Sequence, residues 1–121
     1  MALFEFSEDD LWASLRASKV PPHIHGSIVN YVMHGILTGG FLTAVLSNNL
    51  CESFALADDE NQKHMFDIVA FCYNDIPGGC WGNPERVEKW KSDGGVSGAE
   101  ARALRVASAA SRMGTGGMTD G

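Results

Sequence analysis

The side chains able to do chemistry are few and scattered. Four histidines (His23, His25, His34, His64) and three cysteines (Cys51, Cys72, Cys80) carry every imidazole and thiol of the 121-residue chain. His23-x-His25 would offer two imidazoles to a cation, but none of the compact zinc spacings accompanies it, and surface or core histidines are the simpler reading. A cysteine nucleophile needs a positioned base and an accessible, electropositive setting. Cys51 and Cys72 fall inside apolar patterns and read as buried small hydrophobes. Cys80, in the turn Pro77-Gly78-Gly79-Cys80, is the one thiol placed for reactivity. Asp58, Asp59 and Glu60 would make an acid–base set, although three acids at a helix start are explained with less assumption by capping and the helix dipole. Gly39-Gly40, just before Phe41, outlines a backbone nest for an anion, and a tight loop between packed helices accounts for the same glycines.

The polar group with most promise is Tyr31, Asn48, Asn49, Asp58 and Asn61. On a helical hairpin, Asn48 and Asn49 near the end of one arm face Asp58 and Asn61 at the start of the next. There they would bind a ligand or partner, or satisfy one another and fix the turn. Trp81, beside a double glycine, should fold back and fill a gap between elements. The candidate ligand- or partner-binding set is therefore Tyr31, Gly39, Gly40, Phe41, Asn48, Asn49, Asp58, Asp59, Asn61 and Trp81, with no catalytic residue, metal ligand or cofactor assigned.

Helices must position these groups. Ser7 offers an N-cap ahead of Glu8, Asp9 and Asp10, so a first helix should run from about Glu8 to Ala17 with Leu11, Trp12 and Leu15 inward, stopped by Val20-Pro21-Pro22. Pro22 opens a second, to about Met33, on Ile24, Ile28 and Val32, with Val29, Met33 and Ile36 widening the face. Gly35 ends it, and the histidines fall mostly off that face. After the loop Leu37-Thr38-Gly39-Gly40, a third helix carries Phe41, Leu42, Val45, Leu46 and Leu50. It bends at Asn48-Asn49 and continues through Leu56. Asp58-Asp59-Glu60 starts a fourth, with Met65, Ile68, Val69 and Cys72 as its stripe, ending near Asn74. Asn83-Pro84-Glu85 caps a fifth, through Val87 and Trp90 to Gly94. Ser97 and Glu100 fit a capping box before the alanine-rich stretch 99–113, a loosely anchored last helix. Residues 114–121 hold too little apolar content to order themselves.

Composition limits the function classes. One domain of this length buries a core without disulfides. Fifteen acidic against nine basic residues, a net charge of -6, disfavours binding to a nucleic-acid backbone and suits a basic partner. An odd number of cysteines without CxxC pairing indicates a reducing, cytoplasmic setting. No apolar run reaches the roughly 20 residues of a membrane span, and the start MALFEFSEDD lacks the basic head of a signal peptide.

The stretch from about His25 to Trp90 resembles a family of small proteins of tailed bacteriophages and prophages. The matching positions are Tyr31-Val32, Gly39 to Leu42, Ala44 to Leu46, Asn48, Leu50, Ala57-Asp58, Asn61, Tyr73-Asn74, Trp81-Gly82 and Trp90. Thr38 stands where that family has proline, and Asn49 where it has aspartate. The resemblance implies a phage origin and a role inside the bacterial host cell, and carries no activity with it. The expectation is an all-α single domain over residues 1–113, a compact bundle of five to six short helices around a central helical hairpin, forming a homo-oligomer. Its expected function is non-enzymatic: a phage accessory protein that counters host defence, docking on a defence protein such as a CRISPR–Cas complex or sequestering a nucleotide signal. The alternatives are a structural or assembly role, or a small enzyme using Cys80 or a metal.

Overall fold

The computed structural model describes residues 7–104, an all-α arrangement of short helices joined by short connections, with no strand among them. α1 spans Glu8–Ala17, and the Ser7 hydroxyl accepts from the Asp10 amide at its start. Leu11 and Leu15 go into the core from one face. Pro22–Ile24 forms a single 3-10 turn before α2, His25–His34, because a proline-led first turn lacks the donors of a full α start. His25, expected off the apolar face, is buried, with its Nε2 donating to the Val20 carbonyl at 2.8 Å. That bond ties the turn to the end of the preceding loop and offsets the burial of the ring.

The two arms of the anticipated hairpin are each divided. The first becomes α3, Gly40–Leu46, and α4, Leu50–Leu56. Asn48 takes a left-handed conformation, φ 64°. The Asn48 amide then reaches Val45 O, and the Asn49 amide reaches Ala44 O, closing the C-terminus of α3 in a Schellman arrangement. The Asn49 side chain caps α4, accepting from the Glu52 amide. The second arm becomes α5, Asp59–Lys63, and α6, Met65–Asp75, broken at His64, whose φ of -115° leaves the helical range. His64 lies within ion-pair reach of Glu60 on one side and Asp67 on the other, which holds it at the break.

A 3-10 turn over Gly78–Cys80 leads to α7, Pro84–Asp93, with Asn83 accepting from the Arg86 amide as its N-cap. The chain is helical again from residue 95 to residue 104, the last described. The capping box expected at Ser97 does not form. The helix has already restarted at Gly95, so Ser97 lies inside it and hydrogen-bonds His34 Nδ1 instead. Residues 105–121, which include most of the expected alanine-rich helix and the expected tail, lie outside the described residues.

One core joins these pieces. Leu15, Val32, Ile68, Cys80 and Val96 are fully buried at its centre, with Trp81 and Trp90 packed against it. Two long-range polar contacts lock it. The buried Tyr31 hydroxyl donates to the Cys80 carbonyl at 2.7 Å. The Trp90 indole N–H is shared between the carbonyls of Tyr31 and Val32, at 3.0 and 3.1 Å, meeting the open C-terminal end of α2. No helix of the described residues is long and apolar enough to cross a membrane.

Candidate functional site

A cavity of about 270 Å³ opens where the 3-10 turn, the start of α3 and the α4–α5 corner meet. Gly39, Gly40, Phe41, Asp58 and Asn61, all singled out from sequence, line it. Sequence reasoning missed His23, Ile24 and Ser27, which come from the chain segment ahead of α2 and its first turn, and Leu42 and Leu56.

Asp58 is the hinge of the site. As N-cap of α5 its Oδ1 accepts from the Asn61 amide at 2.8 Å, while Oδ2 accepts from His23 Nε2 at 2.9 Å. The first of these bonds, with the second adding to it, holds the Asp58 carboxyl below the usual carboxylate range, so the group stays charged at neutral pH. The carboxylate remains more than half exposed at the cavity mouth.

Asn61 behaves differently. Only 4 % of it is exposed, and its carboxamide Oδ1 is buried with no hydrogen-bond partner among the described residues. An unmet buried acceptor costs about 1–3 kcal/mol, a cost that an incoming donor, from a water or a ligand, would offset. Ile24, Leu42 and Leu56 supply apolar walls, and no lysine or arginine lines the cavity. The cavity therefore presents a carboxylate against apolar walls, with the unpartnered Asn61 Oδ1 just beneath its lining, a combination suited to a group that brings N–H donors.

The remaining candidates are elsewhere. Asn49 lines a neighbouring groove of about 490 Å³ that shares Gly40 and Leu56 with the cavity and extends along Leu37 and Thr43. Asn48 is exposed and serves the α3–α4 corner. Asp59 is exposed beside Asp58 without lining the cavity. Tyr31 is buried, its hydroxyl engaged by Cys80 and its ionisation pushed up by burial, so it is a core residue rather than a ligand contact. Trp81 is half-buried against the core, as its place beside the double glycine implied.

Cys72 is buried as expected, while the expectations for Cys51 and Cys80 reverse. Cys51 is exposed and Cys80 fully buried. Burial raises the Cys80 thiol far above its ordinary value, with Cys72 adding to it, and pushes Cys72 up to about 12. The Gly78–Cys80 turn rolls the Cys80 side chain inward instead of presenting it. Among the described residues no three His, Cys, Asp or Glu side chains converge on one point as metal ligands would.

A surface feature completes the picture. On α6, Phe66 is 82 % exposed and Tyr73 77 %, with Val69 between them, also exposed. Spaced i, i+3 and i+7, they form one outward apolar stripe opposite the buried Met65, Ile68 and Cys72. No family model, curated protein or solved structure matches the chain.

Proposed function

We propose that this chain is a non-enzymatic phage accessory protein that acts by docking on a basic surface of a bacterial defence protein, such as a component of a CRISPR–Cas complex, in the host cytoplasm. The observation that carries this reading is the cavity: a charged carboxylate at its mouth, an unmet acceptor just beneath its lining, and a chain of net charge -6 around it. Complementary charge speeds encounter with a basic partner and sets the register of docking. The adjoining groove along Leu37 and Leu56, both about half exposed, gives the apolar area that such an interface also needs. The phage resemblance supplies the biological setting. Sequestration of a nucleotide is the weaker version, because a phosphate would find no lysine or arginine in the cavity.

The test is phage plaquing on a host whose CRISPR–Cas system targets that phage. Expression of the chain is expected to restore plaques, and the pair Asp58→Asn with Asp59→Lys to abolish that protection while circular dichroism stays unchanged. Asparagine keeps the α5 cap. Restored plaques from the double variant would remove the acidic docking face from the reading.

Self-association uses a different face. Two copies pair through the α6 stripe in antiparallel fashion, which brings Lys63, just before the stripe, toward Asp75 at its end in the other copy. Neither residue has an ion-pair partner among the described residues. Sedimentation velocity should find a dimer that Phe66→Glu converts to a folded monomer; a monomeric parent would rule this pairing out.

A further inference from the structure

We infer that the Asp58–Asn61 cavity is an arginine pocket: it takes the guanidinium of one arginine side chain of the docked partner. The inference rests on the docking reading and names the chemistry of its anchor. Three features of the cavity select this group. Its unmet polar atom, Asn61 Oδ1, is an acceptor just beneath the lining, in a side chain 4 % exposed, and it gains only from a donor that meets it as the carboxamide turns toward the cavity. The Asp58 oxygens each accept one bond already, from Asn61 N–H and from His23, and a carboxylate keeps further lone pairs for a fork of N–H groups. The walls of Ile24, Leu42 and Leu56 are apolar, and Phe41 adds an aromatic ring.

A ligand that brings donors and no acceptor, carries positive charge, is weakly hydrated and rides on an aliphatic stem fits all three, and arginine is the side chain with those properties. Lysine offers a strongly hydrated point charge that cannot reach two acceptors in a fork. A nucleobase brings ring acceptors that would face the carboxylate, and its phosphate would meet no lysine or arginine, only a His23 already engaged by Asp58. Size agrees: about 270 Å³ is just below the range of clefts built for drug-sized molecules, roughly 300–1,000 Å³, and suits a single inserted side chain. Deeply seated arginines are among the commonest anchors of protein interfaces.

The experiment is a titration of the full-length chain, uniformly labelled with 15N, with acetyl-arginine amide, followed by NMR. The Asn61 side-chain NH2 and the Gly39 and Gly40 amides are expected to shift saturably, with a roughly millimolar Kd. Acetyl-lysine amide should bind several-fold more weakly, and adenosine monophosphate should leave these signals in place. Asp58→Asn, which retains the cap and loses the charge, should weaken arginine binding about tenfold or more. Asn61→Ala should weaken it similarly while the melting temperature holds or rises, because an unmet buried acceptor has been removed. Absence of saturable shifts, tighter binding of adenosine monophosphate than of the arginine amide, or unchanged affinity in Asp58→Asn would each overturn the pocket. If the arginine amide is silent while plaquing is still rescued, the docking reading stands and the arginine anchor falls.

Discussion

Gly95→Ala should destabilise the protein by about 3 kcal/mol or more, lowering the melting temperature by over about 10 °C. Gly95 has φ +67°, a region that costs an L-residue roughly 1–2 kcal/mol on its own. A Cβ there would also sit 2.6 Å from the His34 nitrogen and 2.7 Å from the Gly35 nitrogen and the Met33 carbonyl carbon. All three are backbone atoms, so relief requires the C-terminal end of α2 to withdraw from the α7 corner. That withdrawal stretches the bonds from the Trp90 indole to Tyr31 and Val32. Gly26 provides the control. It lies in α2, and a methyl added there would meet nothing within 4 Å beyond the backbone of its own helix, so Gly26→Ala should be neutral or stabilising by up to ~1 kcal/mol. Thermal melts followed by far-UV circular dichroism decide it. If Gly95→Ala melts with the parent, the tight crossing of the two chain segments does not exist in solution.

The second large effect belongs to Ile68. With no exposed surface it sits on the inner side of α6, where Ile68→Ala removes buried methyl groups and leaves a void, for about 2–5 kcal/mol. Phe66, two residues earlier on the same helix, is larger and more hydrophobic in surface area, yet Phe66→Ala should change monomer stability by less than about 0.5 kcal/mol because its ring lies 82 % in solvent. Denaturant unfolding at low protein concentration separates the two. Comparable losses from both would mean that α6 is rotated relative to the core.

Much of the architecture is readable from local signals. Ser7, Asp58 and Asn83 cap helices, and Gly35 and Gly94 end them, as their types and places in the chain imply, because capping is a short-range matter of one side chain and three amides. Asn48 and Asn49 are legible as a bend, and the structure uses them as the C-terminal and N-terminal punctuation of that bend. What local pattern does not carry is distance in sequence turned into proximity. His23 reaches Asp58 across 35 residues, so one side of the cavity, His23, Ile24 and Ser27, comes from a segment whose own pattern shows only a proline-led turn. The cysteines mislead for a related reason. Cys51 lies in an apolar pattern, but α4 packs mainly on α3 and leaves its outer side, with Leu50 and Phe54, in solvent. Cys80 lies among glycines and is nonetheless drawn inward by the Tyr31 hydroxyl that holds its carbonyl.

The grip of Trp90 on α2 has a consequence for the order in which the molecule is made. The Tyr31 carbonyl already accepts from the Gly35 amide, but the Val32 carbonyl waits for a donor that lies 58 residues further along, and Gly35 waits for Gly95 to lie against it. A growing polypeptide can form α1 and α2 as soon as they emerge, with Gly35 and Ile36 capping α2 locally, but the Val32 carbonyl and the side of α2 that faces α7 stay open until the last third of the described chain has been synthesised. Nascent chains that stop short of α7 hold an unfinished core. The rate at which the finished protein appears is then governed by this late, long-range closure and the loop entropy it must overcome, more than by the quick winding of its short helices.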